Sequence, residues 1–546
     1  MQPIELTRPQ WHHGQLFAFS GLDGRTDYAD SLVARTIGSP AGLEIKQPEE
    51  CRVCFGYTIT GEVSFCGDHF HFSTPEGTVR GVFIDAYHLL ITAPCRIEGP
   101  LAKLSVATKA SLTLVGTTSH FDAALIDTDL DSIWVARTAW LSSQKVDHVS
   151  PQSTRTLLRA LSLMKTQVCS AEGMLRRRWT TPDRWPHKDM WLWDSAFHAI
   201  GWRHVDPALA MELLDAVVDG QREDGFVPLR ASPQRIEPVM TQPPVLAYGV
   251  KKVVELTKDW TWVARIFPRL CAYIEWDLRN RDSDGSGLLE WFIEEHPNCR
   301  SGESGMDNSP RFDSALQLDA VDFNAFLANE CEVLSGFAQR LGDSLGAERW
   351  KREHQRLCRA INERLWSDEH HFYCDFDPHT GRQTHVFSCV GFLPLLCGAA
   401  SNDQAIWLAR HLEDPEMFQT RVPVASVAVK NRDVYSKDMW RGPTWVNMNW
   451  LIAEGFSRYG METQAEAIRS VTRSEIERTV EKGGVFFEYF DDRGEVEPPQ
   501  LLRKGQCAPE LSPYHQVIHD FGWTATLYVD LLAQKASCAP EKTPQG

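Results

Sequence analysis

A carboxylate in a loop that carries glycines and other acidic residues is the first candidate for chemistry in this sequence. Asp307 lies between Glu303 and Asp313 and shortly precedes Ser309-Pro310. A cluster of carboxylates can keep one of its members protonated near neutral pH, as a general acid requires. Ser-Pro is also typical of a helix start, so capping of a helix is the alternative role for Asp307.

A second carboxylate stands in an aromatic run much later in the chain. Glu488 follows two glycines and is flanked by Phe487 and Tyr489. Burying a carboxylate among apolar side chains is costly unless it has a partner or a purpose. Aromatic faces suit the flat apolar faces of sugar rings, so Asp307 and Glu488 are predicted to act as acid and base on a sugar. The alternative for Glu488 is an exposed position on a strand.

Two further segments offer contacts to a sugar ring. Trp193-Asp194 combines a stacking face with an acceptor for hydroxyl groups, although an acidic first turn of an amphipathic helix has the same pattern. Arg441 lies between Trp440 and Trp445, which suits a polyol or a carboxylate. Cation–π packing of a buried arginine is the alternative for Arg441.

Three weaker motifs also fit ordinary structural roles. Gln242 offers both a donor and an acceptor, but a polar loop residue before a proline-started helix would look the same. The segment 281–290 faintly resembles a calcium loop and is too short for an EF-hand, which favours a polar turn. Cys51 and Cys54 form a CxxC pair without the second pair of a zinc site. We therefore expect neither a metal nor a cofactor.

The composition is that of a globular protein with an acidic surface. The 546 residues include 56 basic and 73 acidic side chains, for a formal net charge of −17. Nucleic acid and anionic membranes require a basic surface, so neither partner is expected. The 19 tryptophans exceed what a core usually needs and suit an aromatic-lined sugar cleft, with packing at helix crossings as the alternative.

The sequence also favours a cytoplasmic location. Its first residues lack the basic and apolar regions of a secretion signal, and no apolar run has the length of a membrane span. The 14 cysteines are scattered, and we expect them to be reduced thiols.

The pattern of apolar residues changes along the chain. Short β-rich runs punctuated by Gly, Pro and Asp occupy residues 12–145 and predict an antiparallel sandwich. The clearest runs are Val63–Cys66, His69–Phe72, Val79–Ile84, His88–Ile91 and Leu112–Gly116. After Ser150-Pro151 the spacing predicts helices. They lie near 153–170, 190–203, 206–222, 243–257, 260–280, 317–343, 347–366, 387–398, 402–412, 444–460, 462–482 and 519–535.

The helical region favours a closed architecture. Twelve helices with functional loops suggest six hairpins closed into an (α/α)6 toroid whose loops build a site at one end. An open α-solenoid is the alternative, but no repeat with shared sequence is visible. The predicted fold is mainly α, with an N-terminal β-sandwich domain over 1–148, an (α/α)6-barrel catalytic domain over 149–536 and a flexible tail over 537–546.

Several short motifs occur in one order along residues 150–535. They are Trp193-Asp194, Gln242-Pro243-Pro244, the segment 304–310 with its Gly-Met-Asp-Asn core, Trp440-Arg441-Gly442-Pro443 followed by Trp445, Phe487-Glu488-Tyr489, and Phe521-Gly522-Trp523-Thr524-Ala525. Each motif alone is weak, and their common order is specific. Together they resemble glycoside hydrolase family 63, and within it the bacterial mannosylglycerate/glucosylglycerate hydrolase type.

The resemblance implies a fold and an activity. The fold is an (α/α)6 barrel, and the activity is exo-acting, inverting hydrolysis of α-glucosides or α-mannosides, with glucose as the expected glycone. The family pattern assigns the general acid to Asp307 and the general base to Glu488. This chemistry requires no metal. The expected substrate-binding residues are Trp193, Asp194, Phe197, Gln242, Trp440, Arg441, Trp445 and Trp523.

The chain departs from the family pattern in two places. Compact hydrolases of this type lack the strand-rich N-terminal region of about 145 residues. They also have a shorter segment between the base motif and the Trp-Thr-Ala motif than Asp492–Asp520 in this chain. Both departures affect the aglycone side of the site. An acidic aglycone such as glycerate would require cations beyond Arg441, and the sequence does not identify them.

The expected partner is a small oligosaccharide or glycoside, and other functions on the same fold stay open. A trehalase or a β-glucan hydrolase is one alternative. A phosphorylase is disfavoured because it needs no catalytic base, whereas this chain has Glu488 within the Phe-Glu-Tyr motif of the expected base. A non-catalytic carbohydrate-binding protein is the other alternative.

Overall fold

The computed structural model describes residues 11–59, 63–144, 150–296, 298–505 and 516–537. The first part of the chain forms antiparallel strands. They are β1 (Leu16–Ala18), β2 (Val33–Gly38), β3 (Ala41–Gln47), β4 (Cys51–Phe55), β5 (Val63–Cys66), β6 (His69–Thr74), β7 (Gly77–Phe83), β8 (His88–Ile91), β9 (Cys95–Glu98), β10 (Leu104–Lys109) and β11 (Leu112–Thr117). One sheet has the order β1-β2-β3-β4-β9 and the other the order β10-β11-β8-β7-β6-β5.

The two sheets share one apolar core. Phe17 and Val53 from the first sheet pack in the same buried cluster as Phe70, Phe72 and Leu89 from the second. Alternation of apolar and polar residues places these side chains on the inner faces of both sheets. The five strand runs predicted from the sequence are confirmed, with ends that shift by at most two residues.

One part of the predicted strand region is helical instead. Residues Leu130–Ser142 form helix α1, which the sequence analysis placed among strands. Asp129 caps the helix by accepting a hydrogen bond from the backbone N–H of Asp131. The apolar residues of α1 do not form one stripe, since Val135 is 67% exposed, and this lack of period explains the missed helix.

The second part of the chain is helical. Its helices are α2 (Pro151–Gln167), α3 (Leu192–Trp202), α4 (Pro207–Asp219), α5 (Leu246–Thr257), α6 (Trp260–Asn280), α7 (Val321–Leu341), α8 (Ser344–Ala360), α9 (Asn402–Leu412), α10 (Val446–Arg458), α11 (Glu462–Gly483) and α12 (Gly522–Ser537). Each overlaps a predicted helix. The predicted helix 387–398 is a 3₁₀ segment, Cys389–Leu395, because Pro394 cannot donate an α-helical hydrogen bond.

The helices pack in two layers. Helices α3, α5, α7, the 3₁₀ segment, α10 and α12 contact one another in that cyclic order, and α12 returns to α3. Helices α2, α4, α6, α8 and α11 lie against the outside of this ring. The N-terminal ends of α3, α10 and α12 carry or adjoin Trp193, Trp445 and Trp523, so one end of the ring gathers the residues that the motifs singled out.

Buried polar contacts join the strand-rich and helical parts. Arg35 on β2 donates to the backbone oxygens of His519 (2.6 Å) and Asp183 (3.0 Å) in the helical part. Asp520, at the start of α12, accepts from the backbone N–H of Leu16 on β1 at 2.6 Å. The two parts therefore share hydrogen bonds that neither could satisfy alone.

The boundary at residue 148 stays a prediction, because residues 145–149 lie outside the described part. The tail over 538–546 lies outside it as well, and Ser537 ends α12. Within the described residues, no helix has both the length and the apolar character needed to cross a membrane.

The segment 281–290 and the pair Cys51/Cys54 are two of the three weaker sequence motifs. The segment 281–290 forms a polar turn in which the backbone N–H of Ser286 binds Asp284 at 2.8 Å. The carboxylates of Asp282, Asp284 and Glu290 come within 4.8 Å of one another there. Cys51 is a buried free thiol on β4.

The contacts of Arg35 predict the stability of a variant. Arg35→Leu removes the donors of backbone oxygens on both parts of the chain, and leaving buried carbonyl groups unsatisfied should lower the free energy of unfolding by at least about 2 kcal/mol. Calorimetric unfolding measures this loss. The control is Arg52→Leu on β4, where the arginine is mostly exposed; equal melting temperatures for the two variants would contradict the prediction.

Candidate active site

A cavity of about 410 Å³ opens at the end of the helical ring where the motifs meet. It contains eight of the ten residues that the sequence singled out, which lie far apart in the chain. They are Trp193, Asp194, Gln242, Asp307, Trp440, Trp445, Glu488 and Trp523. The volume is in the range of small-molecule sites, and acidic, basic and aromatic side chains share the lining.

Tryptophan rings form one wall of the cavity. Trp440 and Trp445 stack face to face with centroids 3.7 Å apart, and Trp193 meets Trp523 edge to face at 5.3 Å. The buried indole N–H groups of Trp440 and Trp523 have no hydrogen-bond partner among the described residues. A buried indole N–H usually has an acceptor, so these two groups are unsatisfied donors.

Trp193 is fixed from two sides. Its backbone N–H donates to the Gln242 side-chain oxygen at 3.2 Å. Its ring packs against Gly305, where a Cβ atom would lie 2.4 Å from the ring and where φ is +70°. Both the close approach and the left-handed backbone require glycine at position 305.

Asp194 is the carboxyl group most strongly shaped by burial. It lies in the first turn of α3 and is 3% exposed. Burial, with the charges of Asp183 and Glu488, raises the pKa of Asp194 well above its ordinary value. One of its oxygens, Oδ1, has no hydrogen-bond partner among the described residues.

Glu488 is held by a buried arginine. The Nε of Arg503 donates to Glu488 Oε2 at 3.0 Å and a second guanidinium nitrogen to Oε1 at 3.3 Å. The backbone N–H of Ile518 adds a contact of 3.3 Å. Glu488 is 3% exposed, so the alternative of an exposed strand position is wrong. Arginine keeps its charge in proteins, which places a permanent cation beside this carboxylate.

Asp307 is held by a lysine. Lys504 Nζ lies 2.8 Å from Asp307 Oδ2, and both side chains are 20% exposed. Burial alone would raise the pKa of Asp307, but the charge and hydrogen bond of Lys504 and the charge of Arg503 outweigh burial and lower this pKa. This direction is opposite to the one that a general acid needs in the absence of a ligand.

The carboxylate cluster expected around Asp307 does not form. Glu303 is buried against Arg281, with 2.6 Å between them. Asp313 binds Arg441 through two contacts of 2.7 Å. Each of these acids has its own cation. Ser309 does begin a 3₁₀ turn, but no side chain caps it, so the capping role of Asp307 is not observed.

Two residues expected to bind substrate do not line the cavity. Arg441 lies behind it, where it binds Asp313 and donates to the backbone oxygen of Asn308 at 3.2 Å. Phe197 is buried behind Trp193, with ring centroids 5.9 Å apart. Both therefore lie against residues of the wall, and their binding of substrate stays a prediction.

The sequence analysis named none of the basic side chains that line the cavity. These basic residues are His187, Lys188, Arg230, Arg235, Arg503 and Lys504. They cluster in three short stretches, at 187–188, 230–235 and 503–504. Arg503 and Lys504 belong to the long stretch after the base motif, which was the one available sequence signal. Basic side chains therefore line the cavity, although Arg441 is not among them.

The strand-rich part contributes to the same cavity. Tyr28, from the segment between β1 and β2, donates through its hydroxyl group to Asp189 at 2.6 Å. The ammonium of Lys188 lies 4.1 Å from the Tyr28 ring centroid and donates to the Tyr28 backbone oxygen at 3.2 Å. The N-terminal region therefore builds part of the wall.

Comparisons with known proteins identify the family. Residues 186–524 match the family model described as "Mannosylglycerate hydrolase MGH1-like glycoside hydrolase domain". A mannosylglycerate hydrolase of Thermus thermophilus is 28% identical over 399 residues, 58% of this chain and 92% of that protein. One from Rubrobacter radiotolerans is 25% identical over 461 residues, 67% of this chain and 97% of that protein.

A solved structure agrees with this match. A family 63 mannosylglycerate hydrolase of Thermus thermophilus, crystallised with glucose, superposes with a TM-score of 0.56 at 26% identity and covers 68% of this chain and 99% of that one. The chain belongs to the mannosylglycerate hydrolase MGH1-like glycoside hydrolases and is a glycosidase. The family resemblance drawn from the ordered motifs is confirmed.

The packing of Gly305 predicts a sensitive position. Gly305→Ala places a methyl group against the Trp193 ring and strains the backbone, so we expect kcat/KM on a cleaved glycoside to fall by about a hundredfold, as for other small misplacements of a site. Gly336→Ala on α7, where an added Cβ meets nothing within 4 Å, is the matched control and should keep full activity. Equal activity of the two variants would show that Trp193 does not need this contact.

Proposed function

We propose that the protein is an exo-acting, inverting glycosidase that releases mannose or glucose from a small α-glycoside with an acidic aglycone such as glycerate. The observation that carries the proposal is that Asp307 and Glu488, from distant segments, line one tryptophan-walled cavity. The family to which the chain belongs supports the glycosidase chemistry.

In the proposed mechanism, Asp307 in its protonated form donates to the glycosidic oxygen. Glu488 takes a proton from a water molecule that attacks the anomeric carbon from the opposite face. Inverting enzymes keep the two carboxyl groups about 6.5–9.5 Å apart to leave room for that water. Arg503 orients Glu488, and its two contacts direct the carboxylate toward the cavity.

The glycone is proposed to lie against the tryptophan wall. The ring faces of Trp440 and Trp523 supply apolar contact, and their free N–H groups donate to hydroxyl groups. Asp194 Oδ1 binds another hydroxyl. Gln242 uses its oxygen for Trp193, which leaves its amide N–H groups as donors.

The cations support an acidic aglycone. Six basic side chains line a cavity of this size, and Arg235 makes no ion pair with the described residues. The names of the relatives favour mannosylglycerate, whereas the glucose bound in the Thermus thermophilus structure supports a glucoside as the second candidate. Mannose is thus favoured over the glucose expected from the sequence.

We also propose that the helical ring is an (α/α)6 toroid and that the strand-rich region is a β-sandwich domain attached to it. The cyclic contacts of six inner segments and the shared core of the two sheets support this architecture. The (α/α)6 arrangement accounts for a cavity at one end of the ring, where loops converge.

The roles of the two carboxylates predict the effect of substitution. Asp307→Asn and Glu488→Gln should each lower kcat by about 100-fold or more, because each removes one proton transfer. Sugar release is measured for mannosylglycerate, glucosylglycerate, kojibiose, nigerose, maltose, isomaltose and trehalose. Asp403→Asn, exposed on α9, is the control.

Outcomes of this screen separate the alternatives. Proton NMR during turnover should show the β-anomer of the released sugar first, and the α-anomer would contradict inversion. Cleavage of trehalose alone would favour a trehalase. Full activity of Glu488→Gln would overturn the assignment of the base.

A further inference from the structure

Two neighbouring residues bind the two proposed catalytic carboxylates separately. Arg503 contacts Glu488, and Lys504 contacts Asp307. The dipeptide Arg503-Lys504 thus places one cation beside each proposed catalytic carboxylate. The two cations are different residues, and they differ in exposure to solvent.

The Arg503–Glu488 pair is closed. The side chains are 3% and 4% exposed, and two guanidinium nitrogens hold the carboxylate. The Lys504–Asp307 pair is open, because both side chains are 20% exposed and line the cavity. The lysine ammonium is therefore the more accessible of the two cations.

The backbone of Lys504 is fixed while its side chain ends in the cavity. Asp438 accepts from the N–H groups of Lys504 at 2.8 Å and Gly505 at 2.7 Å. Lys504 has φ of +56°, a left-handed conformation that non-glycine residues adopt only when surroundings enforce it. The four-carbon stem of a lysine can still turn its ammonium between two nearby carboxylates.

This pairing conflicts with acid catalysis. An ammonium 2.8 Å from a carboxylate stabilises its ionised form, whereas proton donation requires the neutral form. Something must draw the ammonium from Asp307 when a substrate is bound. A carboxylate on the aglycone, which lies next to the glycosidic oxygen, has the charge and the position to do so.

We propose that Lys504 makes hydrolysis depend on an anionic aglycone: the aglycone carboxylate takes the Lys504 ammonium, and Asp307 then acquires the proton that it donates. This inference rests on the proposed function. Asp307 takes up one proton from solvent on binding and gives it to the glycosidic oxygen as the C–O bond breaks. Water adds to the anomeric carbon, its proton passes to Glu488, and both carboxyl groups return to their initial states through solvent.

The other groups that face Asp307 cannot replace Lys504. Arg503 is bound to Glu488 and acts on Asp307 only through its charge. The Cys299 thiol donates to Glu294 Oε2 at 3.9 Å, and burial together with the charge of Asp307 raises the pKa of the thiol, so Cys299 stays neutral. Glu294, which lines the same cavity, accepts from the backbone N–H of Gly302 at 2.7 Å.

The test compares an anionic glycoside with a neutral one of the same shape. Mannosylglycerate and mannosylglycerol differ by the carboxylate, and the glucosides replace them if the screen above identifies glucose. Wild-type kcat/KM should favour the anionic glycoside at least about 100-fold. Lys504→Met should lower kcat/KM for the anionic glycoside and raise kcat for the neutral one about tenfold, because burial without the ammonium raises the pKa of Asp307.

The pH profile gives a readout that a purely structural role would not move. In Lys504→Met, the alkaline limb of kcat/KM for the neutral glycoside should lie at higher pH than in wild type, since the acid stays protonated to higher pH. Lys504→Arg keeps a cation and should retain the preference for the anion. Lys482→Met removes an exposed lysine that pairs with Glu497 outside the cavity and is the control for lost charge.

A measurement on the wild type does not depend on variant folding. Calorimetric titration with D-glycerate in two buffers of different ionisation enthalpy should show net proton uptake, and Asp307→Asn should abolish it. The inference is overturned if the wild type takes up no proton. It is also overturned if Lys504→Met loses activity equally on the anionic and the neutral glycoside and keeps its pH profile. Absence of any glycoside cleavage by wild type would instead refute the proposed function, so the two failures are distinct.

Discussion

Two largely buried carboxylates in one tryptophan-walled cavity must each be compensated by positive charge, and the structure of the site follows from that constraint. An unpaired carboxylate in such surroundings costs several kcal/mol, about as much as a domain can spare. Arg503 and Lys504 supply the two charges from adjacent positions. Tyr489 holds the segment that carries both cations, because its hydroxyl group donates to the Leu502 backbone oxygen at 2.6 Å.

The remainder of the fold brings distant segments to this pair of cations. The N-terminal ends of inner helices supply Asp194 and the tryptophans, and Asp520 ties the base segment to the N-terminal strands by accepting from the backbone N–H groups of Phe486 (3.2 Å) and Leu16 (2.6 Å). Tyr28 carries the strand-rich part into the cavity. The N-terminal region is thus structurally part of the site, and its loss would open the part of the wall that Tyr28 forms.

Features with a local pattern could be predicted from the sequence. The helices showed a period of apolar residues and the strands showed alternation, and both depend on short-range spacing. Helix α1 was missed because Leu130–Ser142 lacks one apolar stripe, and Cys389–Leu395 was predicted to be α-helical despite its proline. The two carboxylates were found because each stood in a distinctive short motif.

The electrostatic state of the site could not be predicted, since it depends on partners far away in the chain. The sequence placed Glu303 and Asp313 near Asp307 but did not show that Arg281 and Arg441 neutralise them. The sequence around Asp307 gave no sign of a contact with Lys504, which lies almost two hundred residues later. Arg441 was predicted to bind substrate because it lies between two tryptophans in the sequence, whereas its side chain binds Asp313 in the structure.

In the mechanism that we propose, Glu488 keeps a permanent cation while Asp307 exchanges its cation for a proton. Neutron diffraction at neutral pH from crystals of the protein, free and with D-glycerate, would locate the exchangeable deuterons directly. In the free protein we expect three deuterons on the Lys504 ammonium and none on the Asp307 carboxylate. In the complex we expect one deuteron on Asp307 and a contact between Lys504 and glycerate. A deuteron on Asp307 in the free protein, or a Lys504–Asp307 pair unchanged by glycerate, would contradict this mechanism.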